Sequence, residues 1–344
     1  MTAVQTVAAV RTRGLVRVRL VALVLLVVLA ALFVTALAVG SVFIAPVDVL
    51  SALVGDAPRR ANYIVNEVRL PRALTGVLAG LAFGLSGGVF QSMVRNPLAS
   101  PDVIGITMGA SAAAVVCILA LGMTGIAVSA GAFVGALGTA LLIYALAWRR
   151  GVSGYRLVLT GIGVAAVLSS VVSYMITRAD VKEAQSALVW LTGSLTARTW
   201  TDVTPLAIIL AVVVPLVLLL ARSLLALQFG DDVATALGVS VERRRLALIL
   251  CAVALAAAAT AAAGPVAFVA FVSGPIARRL VRGHAASLVP AALVGAVVLV
   301  GSDLVAQYVL GSAVVGGAGL PVGVVTGVIG APYLLWLMAT RRAA

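Results

Sequence analysis

RLPRALTGVLAGLAFGLSGGVFQSMVRNPLASPDVIGITMGA, running from Arg69 to Ala110, holds the pattern on which the whole chain is built. Two arginines flank a proline, and about twenty apolar or small residues follow, enough to cross the hydrocarbon core of a bilayer. A polar break from Gln91 to Asp102 comes next, and apolar sequence resumes at Val103. Gly76, Gly80, Gly84 and Gly88 recur at a spacing that sets them on one helix face, where a neighbouring helix can approach closely. The break contains Asn96, Pro97 and Pro101, which halt a helix, and Asp102, which can cap the next one. Two readings stay open for it: an ordinary loop, or a helix break lining a cavity inside the membrane.

The rest of the chain repeats this theme. Of 344 residues, 63% are hydrophobic and 10% charged, against about half and a quarter in a soluble domain. Apolar runs this long must satisfy their backbone internally, which makes them helices, and no strand alternation points to a barrel. The expected fold is an all-α membrane protein with ten spans, at about 20–39, 70–91, 103–121, 125–147, 156–176, 203–222 and 246–263, an eighth that ends at Arg278, Arg279 and Arg282, and two more at about 288–309 and 322–339. Residues 1–19 form a tail, 20–340 a single transmembrane domain, and 223–245 its most polar internal loop. Ala36-Leu37-Ala38 has the small-residue form of a signal-peptidase site, but the run from Leu20 to Val39 is too long for a signal core, so the reading is an uncleaved first span. Gly264-Pro265 and Gly274-Pro275 are expected to interrupt the eighth span.

Charge sets the orientation. With both termini inside, seventeen of the 24 basic side chains fall in internal segments and seven in external ones. This bias supports cytoplasmic termini and an even number of spans. A net charge of +13 could suggest nucleic-acid binding, but the arginines lie between apolar runs and form no separate basic domain. Cys117 and Cys251 both lie in apolar runs and read as packing residues. No cluster has metal-ligand spacing, no Ser/His/Asp set suggests catalysis, and no phosphate-binding loop is present. Solitary His284 is a poor ligand candidate. Asp303 is the one acid in a late apolar run, with a functional or a helix-capping reading. Arg69 and Arg72 either snorkel to headgroups or receive acidic side chains of an external partner. In the 223–245 loop, Val233, Ala236 and Leu237 could form the apolar side of a short docking helix.

Together these segments resemble the FecCD-type permease subunits of bacterial ABC importers for iron–siderophores, haem and vitamin B12. The resemblance rests on Arg69-Leu-Pro-Arg72, Gly84 through Gln91, Arg95-Asn-Pro-Leu-Ala99 with Pro101 and Gly105, and Gly109-Ala110. It continues with Trp190-Leu-Thr-Gly193-Ser194, Ala234 to Gly238, Gly264 to Val269, Ile276-Ala-Arg278, Asp303, Leu320 to Thr326, Gly330 and Pro332. It implies ten helices and a dimer, either of identical chains or with a paralogous permease. It also implies two cytoplasmic ATPase subunits, which would bind ATP and magnesium, so this chain needs no cofactor. An external siderophore-binding protein completes the assembly, in the bacterial cytoplasmic membrane.

By resemblance, Arg69 and Arg72 dock that binding protein. Asp231, Asp232, Ala234, Leu237 and Gly238 belong to the loop that seats in the ATPase. Ser153 and Gly154 look like an inner gate, and Trp190, Gly193 and Ser194 like an outer one. Two departures stand out. Gln307 occupies a position where many members have Arg. Gly274-Pro275 precedes Ile276 where many have Pro-His, so no histidine role carries over. The competing classes are a cobalamin or haem permease of the same family, an ion-driven transporter, which would need buried titratable groups on its pathway, and a membrane enzyme, which lacks a catalytic constellation.

Overall fold

The computed structural model describes residues 3–40, 42–148, 154–282, 287–310 and 320–341. Every regular element in them is helical: α1 (Ala3–Ala38), α2 (Pro46–Val54), α3 (Arg59–Val94), α4 (Ile106–Leu119), α5 (Ile126–Ala147), α6 (Gly154–Arg178), α7 (Val181–Leu191), α8 (Trp200–Gln228), α9 (Asp231–Ala236), α10 (Val241–Ala263), α11 (Val269–Leu280), α12 (Leu288–Leu310) and α13 (Val322–Arg341). Among the described residues eight helices are long and apolar enough to cross a membrane: α1, α3, α5, α6, α8, α10, α12 and α13. The other two expected spans are the shorter α4 and α11, each preceded by a non-helical segment. Helix length therefore supports eight crossings outright, and α4 and α11 reach further only with the irregular chain before them.

The centre of the molecule is α3. Phe83, Val89 and Phe90 are fully buried, and most of the helix from Pro71 to Met93 is enclosed. Small residues make this possible, because a helix surrounded on all sides must let neighbouring backbones come close. A Cβ at Gly84 would lie 2.3 Å from the Ala291 carbonyl oxygen, and one at Gly80 only 2.5 Å from the Ala296 Cα, so α12 seats directly on α3. Ser86 Oγ donates to the Ala252 carbonyl of α10 at 2.6 Å. Cys117 is buried and Cys251 half-buried, both free thiols.

Several boundaries differ from the expected ones. α1 runs unbroken from Ala3, so the described part of the segment read as a tail is helical. α3 begins at Arg59, well before the expected start of its span at about 70, and passes through a π-type turn over Ile64–Arg69. This turn lies just before Pro71, whose missing N–H removes the helical partner of the Glu67 carbonyl, so the ladder is already irregular there. A short helix, α2, lies between α1 and α3. α11 continues through Pro275, so only the Gly264-Pro265 interruption is real. The 223–245 loop is mostly ordered: α8 extends to Gln228, α9 fills its middle, and α10 starts at Val241. Ser153, His284 and Gly316 to Gly319 lie outside the described residues.

Candidate functional site

The break after α3 is exposed at Arg95 and Asn96 and becomes enclosed further on. Arg95 stops the helix at φ 55°, and Ala99, Ser100, Pro101, Ile104 and Gly105 are all enclosed. Asn96 shapes the reversal by accepting the Leu98 N–H on its side-chain oxygen at 2.9 Å and the Ala99 N–H on its carbonyl at 3.1 Å. Pro101 thus stands in the enclosed part of the break, while Asn96 is exposed and Pro97 half-buried, so both readings of the break stay open. The capping expectation for Asp102 is corrected. Gly105, at φ 87°, precedes α4, while Asp102 Oδ1 accepts the Thr107 hydroxyl at 2.5 Å. Asp102 Oδ2 is buried without a hydrogen-bond partner among the described residues.

A second constraint at this end was not visible in sequence. Pro275 has no N–H to offer the Phe271 carbonyl four residues earlier. The Gln91 side chain fills that gap, its Nε2 donating to the Phe271 oxygen at 2.9 Å. Arg278 Nη2 then donates to Gln91 Oε1 at 3.0 Å. Gln91 therefore ties the end of α3 to the interior of α11. A glutamine opposite a helical proline was the available signal, but pairing residues 180 positions apart needs the fold.

At the opposite end, Arg69 and Arg72 do not present open cations. Arg69 Nη1 donates to the Leu37 and Ala38 carbonyls at 2.7 and 3.0 Å, and Nη2 to the Val42 carbonyl at 2.5 Å. It thereby supplies donors that the last turn of α1 lacks. Arg72 grips Asp303 bidentately, Nε to Oδ2 at 3.0 Å and Nη2 to Oδ1 at 2.8 Å. Gln307 Nε2 adds a third donor to Asp303 Oδ2 at 2.9 Å. Asp303 is thus the acid of an interhelix clamp between α3 and α12. These groups, with Leu195 and Tyr308, line a cavity of about 240 Å³.

The expected outer-gate residues come together. Gly193, at φ 68°, lies against Pro265, and its carbonyl accepts the Gly323 N–H at 3.2 Å. The Ser194 N–H donates to the Ala263 carbonyl at 2.8 Å. Trp190, half-buried near the end of α7, presents its carbonyl to Gly264, where a side chain would not fit. The interruption before α11 is therefore the surface on which this segment seats. Gly154 opens α6 against Val94, the last residue of α3.

α9 projects from the arginine-rich end. Ala234 is its buried root, whereas Val233, Leu237 and Phe229 point outward, Leu237 and Phe229 at 66% and 72% exposure. Asp231 and Asp232 open the helix, where negative charge is favoured. Asp231 Oδ1 also accepts from Arg245 Nη2 at 2.7 Å, which fastens α9 to α10. Gly238 ends the turn at φ 78°. Ala236 is exposed too, so the expected apolar side of the helix exists, with Phe229 added by the fold.

This arrangement has known counterparts. A ferric enterobactin transport system permease protein from Escherichia coli is 42% identical over 302 residues, 88% of this chain and 90% of the relative. An achromobactin transport system permease protein from Dickeya dadantii is 41% identical over 312 residues, covering 90% of this chain and 88% of the relative. A solved metal-chelate type ABC transporter in an inward-facing conformation superposes with a TM-score of 0.81 at 25% identity, covering 93% of this chain and 98% of the other. The match to the family extends over residues 25–340, spanning α3, the break after it, the clamp and α9, and the chain accordingly belongs to the FecCD transport family.

Proposed function

We propose that this chain is the membrane-spanning permease subunit of an ATP-driven importer that carries ferric siderophores across the bacterial cytoplasmic membrane. The observation that carries the reading is α9. A helix whose root is buried and whose large apolar side chains face water at the arginine-rich end fits a docking knob for a cytoplasmic protein. The siderophore class follows from the relatives that carry enterobactin and achromobactin. The reading includes two ATPase subunits that bind ATP and magnesium, and an external siderophore-binding protein.

A second permease copy, identical or paralogous, would cover α6 and α13. Both are long apolar helices with little of their surface buried. α6 also carries Ser169, Ser170, Ser173 and Thr177 on its exposed side, unlike the valine- and leucine-rich outer surface of α1. Hydroxyls are poorly placed against lipid tails and well placed against a wet pathway or a partner helix. Gly154 and the Trp190–Ser194 segment would act as parts of the inner and outer gates. The 223–245 segment is read as the coupling loop of this same domain.

Docking of an external binding protein on Arg69 and Arg72 requires Arg72 to exchange Asp303 for the partner's acid, because both guanidinium groups are internally engaged. The transport step would be a shift between outward- and inward-open packings driven by the partner ATPases.

The test is uptake of radiolabelled ferric siderophore in a deletion strain complemented by the gene. Wild type should restore uptake. Val233→Asp with Leu237→Asp should abolish both uptake and co-purification of the ATPase while leaving the melting curve unchanged. The charge reversal of Asp231 is a poorer probe, because it also breaks the Arg245 pair. Full uptake by the double variant would remove the docking role. Uptake that collapses with a protonophore but survives ATP depletion would remove the ABC reading.

A further inference from the structure

We propose that Leu195 is the bolt of the outer gate, and that the Arg72–Asp303 clamp closes the slot in which it sits. This role deepens the gating reading above and rests on it for which way the bolt moves. The observation behind it is the order of contacts along α3 and α12, which run antiparallel.

At their inner turns the two helices meet backbone to backbone. A Cβ at Gly84 would lie 2.3 Å from the Ala291 carbonyl oxygen, and one at Gly80 2.5 Å from the Ala296 Cα. One turn further out the contact changes. A Cβ at Gly76 would meet Leu195 Cδ1 at 3.1 Å and Val300 Cγ2 at 3.4 Å, with no backbone atom of α12 within 4 Å among the described residues. The helices have parted there by enough to admit a side chain from the Trp190–Leu195 segment. The next turn outward brings Arg72 and Asp303, whose side chains span the widened gap with two hydrogen bonds at 3.0 and 2.8 Å. Leu195 therefore sits in a slot with α3 on one side, α12 on the other, close-packed backbone inside and an ion pair outside. It is only 1% exposed.

An apolar side chain is held by burial alone, which has no direction of its own, so Leu195 stays in the slot only while the walls stay together. The inner turns are joined by backbone contact at glycine. The outer turn is joined by the ion pair, with Gln307 adding a donor to Asp303 at 2.9 Å. The ion pair is the part that can be exchanged: an acid from outside that takes Arg72 removes it, whereas the contacts at Gly80 and Gly84 have no substitute partner. The segment behind Leu195 is attached elsewhere. The Ser194 N–H donates to the Ala263 carbonyl at 2.8 Å, and the Ser194 carbonyl accepts from Arg198 Nε at 3.0 Å. Those bonds fix where the segment hangs, and Leu195 fixes whether it is shut. Arg72, Gly76, Leu195, Val300 and Asp303 all line the cavity of about 240 Å³ at this end, so free volume lies beside the bolt.

The experiment uses the purified full-length chain in nanodiscs, with Cys117→Ala, Cys251→Ala and a single Leu195→Cys as reporter. The reading is the rate of labelling by a membrane-impermeant maleimide. Siderophore, ATPase and binding protein are all left out, so this outcome is separate from that of the uptake test. With the clamp intact, labelling should be slow. Arg72→Ala with Asp303→Ala removes the bridge without leaving a buried charge unpaired. It should speed labelling about tenfold by favouring local opening of the slot. Gly76→Val, which fills the slot and leaves the clamp in place, should speed it as well, so a poorly folding clamp variant does not block the test. Leu299→Cys, at a fully buried position next to Val300 on α12, should label slowly in every case. Fast labelling with the clamp intact overturns the proposal, as does an unchanged rate in either variant. An equal rise at Leu299→Cys overturns it too, because the whole bundle would then have loosened.

Discussion

At the scale of single residues, two carboxylates differ in the donors around them. Asp303 accepts two hydrogen bonds from Arg72 and one from Gln307. Asp303→Asn leaves Arg72 partly buried without its counter-charge, and should lower stability by about 3 kcal/mol, read as a drop in melting temperature. Replacing both partners, Arg72→Leu with Asp303→Leu, should recover much of that loss, because the desolvation cost disappears with the charges. Asp102 accepts only the Thr107 hydroxyl, and its second carboxylate oxygen is buried without a partner among the described residues.

At the scale of elements, glycines that share a spacing differ in what they meet. Gly84 is pressed against the Ala291 backbone, which cannot move without shifting α12, whereas Gly327 has open space beside it. Gly84→Ala should destabilise by about 1–3 kcal/mol from overpacking, and Gly327→Ala should leave the melting curve of the single chain unchanged. Comparable losses in both would mean that helix propensity, not interhelix contact, sets the effect. The ladder from Gly76 to Gly88 was legible in the sequence as a packing face, as was the helix break at Asn96, Pro97 and Pro101. The early start of α3 was not. Residues 59–69 are polar enough to read as a loop, and they are helical because Arg69 finds the end of α1 and Asn66 accepts Trp200 Nε1 on its carbonyl at 3.1 Å. The survival of α11 through Pro275 was equally hidden, since the glutamine that repairs the ladder comes from another helix.

At the scale of the whole molecule, the proposed second copy and the pathway between the two would use the thinly covered helices α6 and α13. Ser170→Leu with Ser173→Leu should leave stability within about 0.5 kcal/mol, as surface substitutions do, while siderophore uptake falls. Unchanged uptake would place the pathway elsewhere. The sequence by itself determined that this is a bundle of membrane helices, which end carries the positive charge, where the central helix breaks, and to which family the chain is similar. Those properties follow from hydropathy, glycine and proline spacing and charge bias, all of which act along the chain. Only the tertiary structure decided that Arg69 and Arg72 are engaged within the protein and that Gln91 completes a helix it does not belong to. Each of these depends on which groups distant in sequence share a hydrogen bond or lack one, and that is settled by packing in three dimensions.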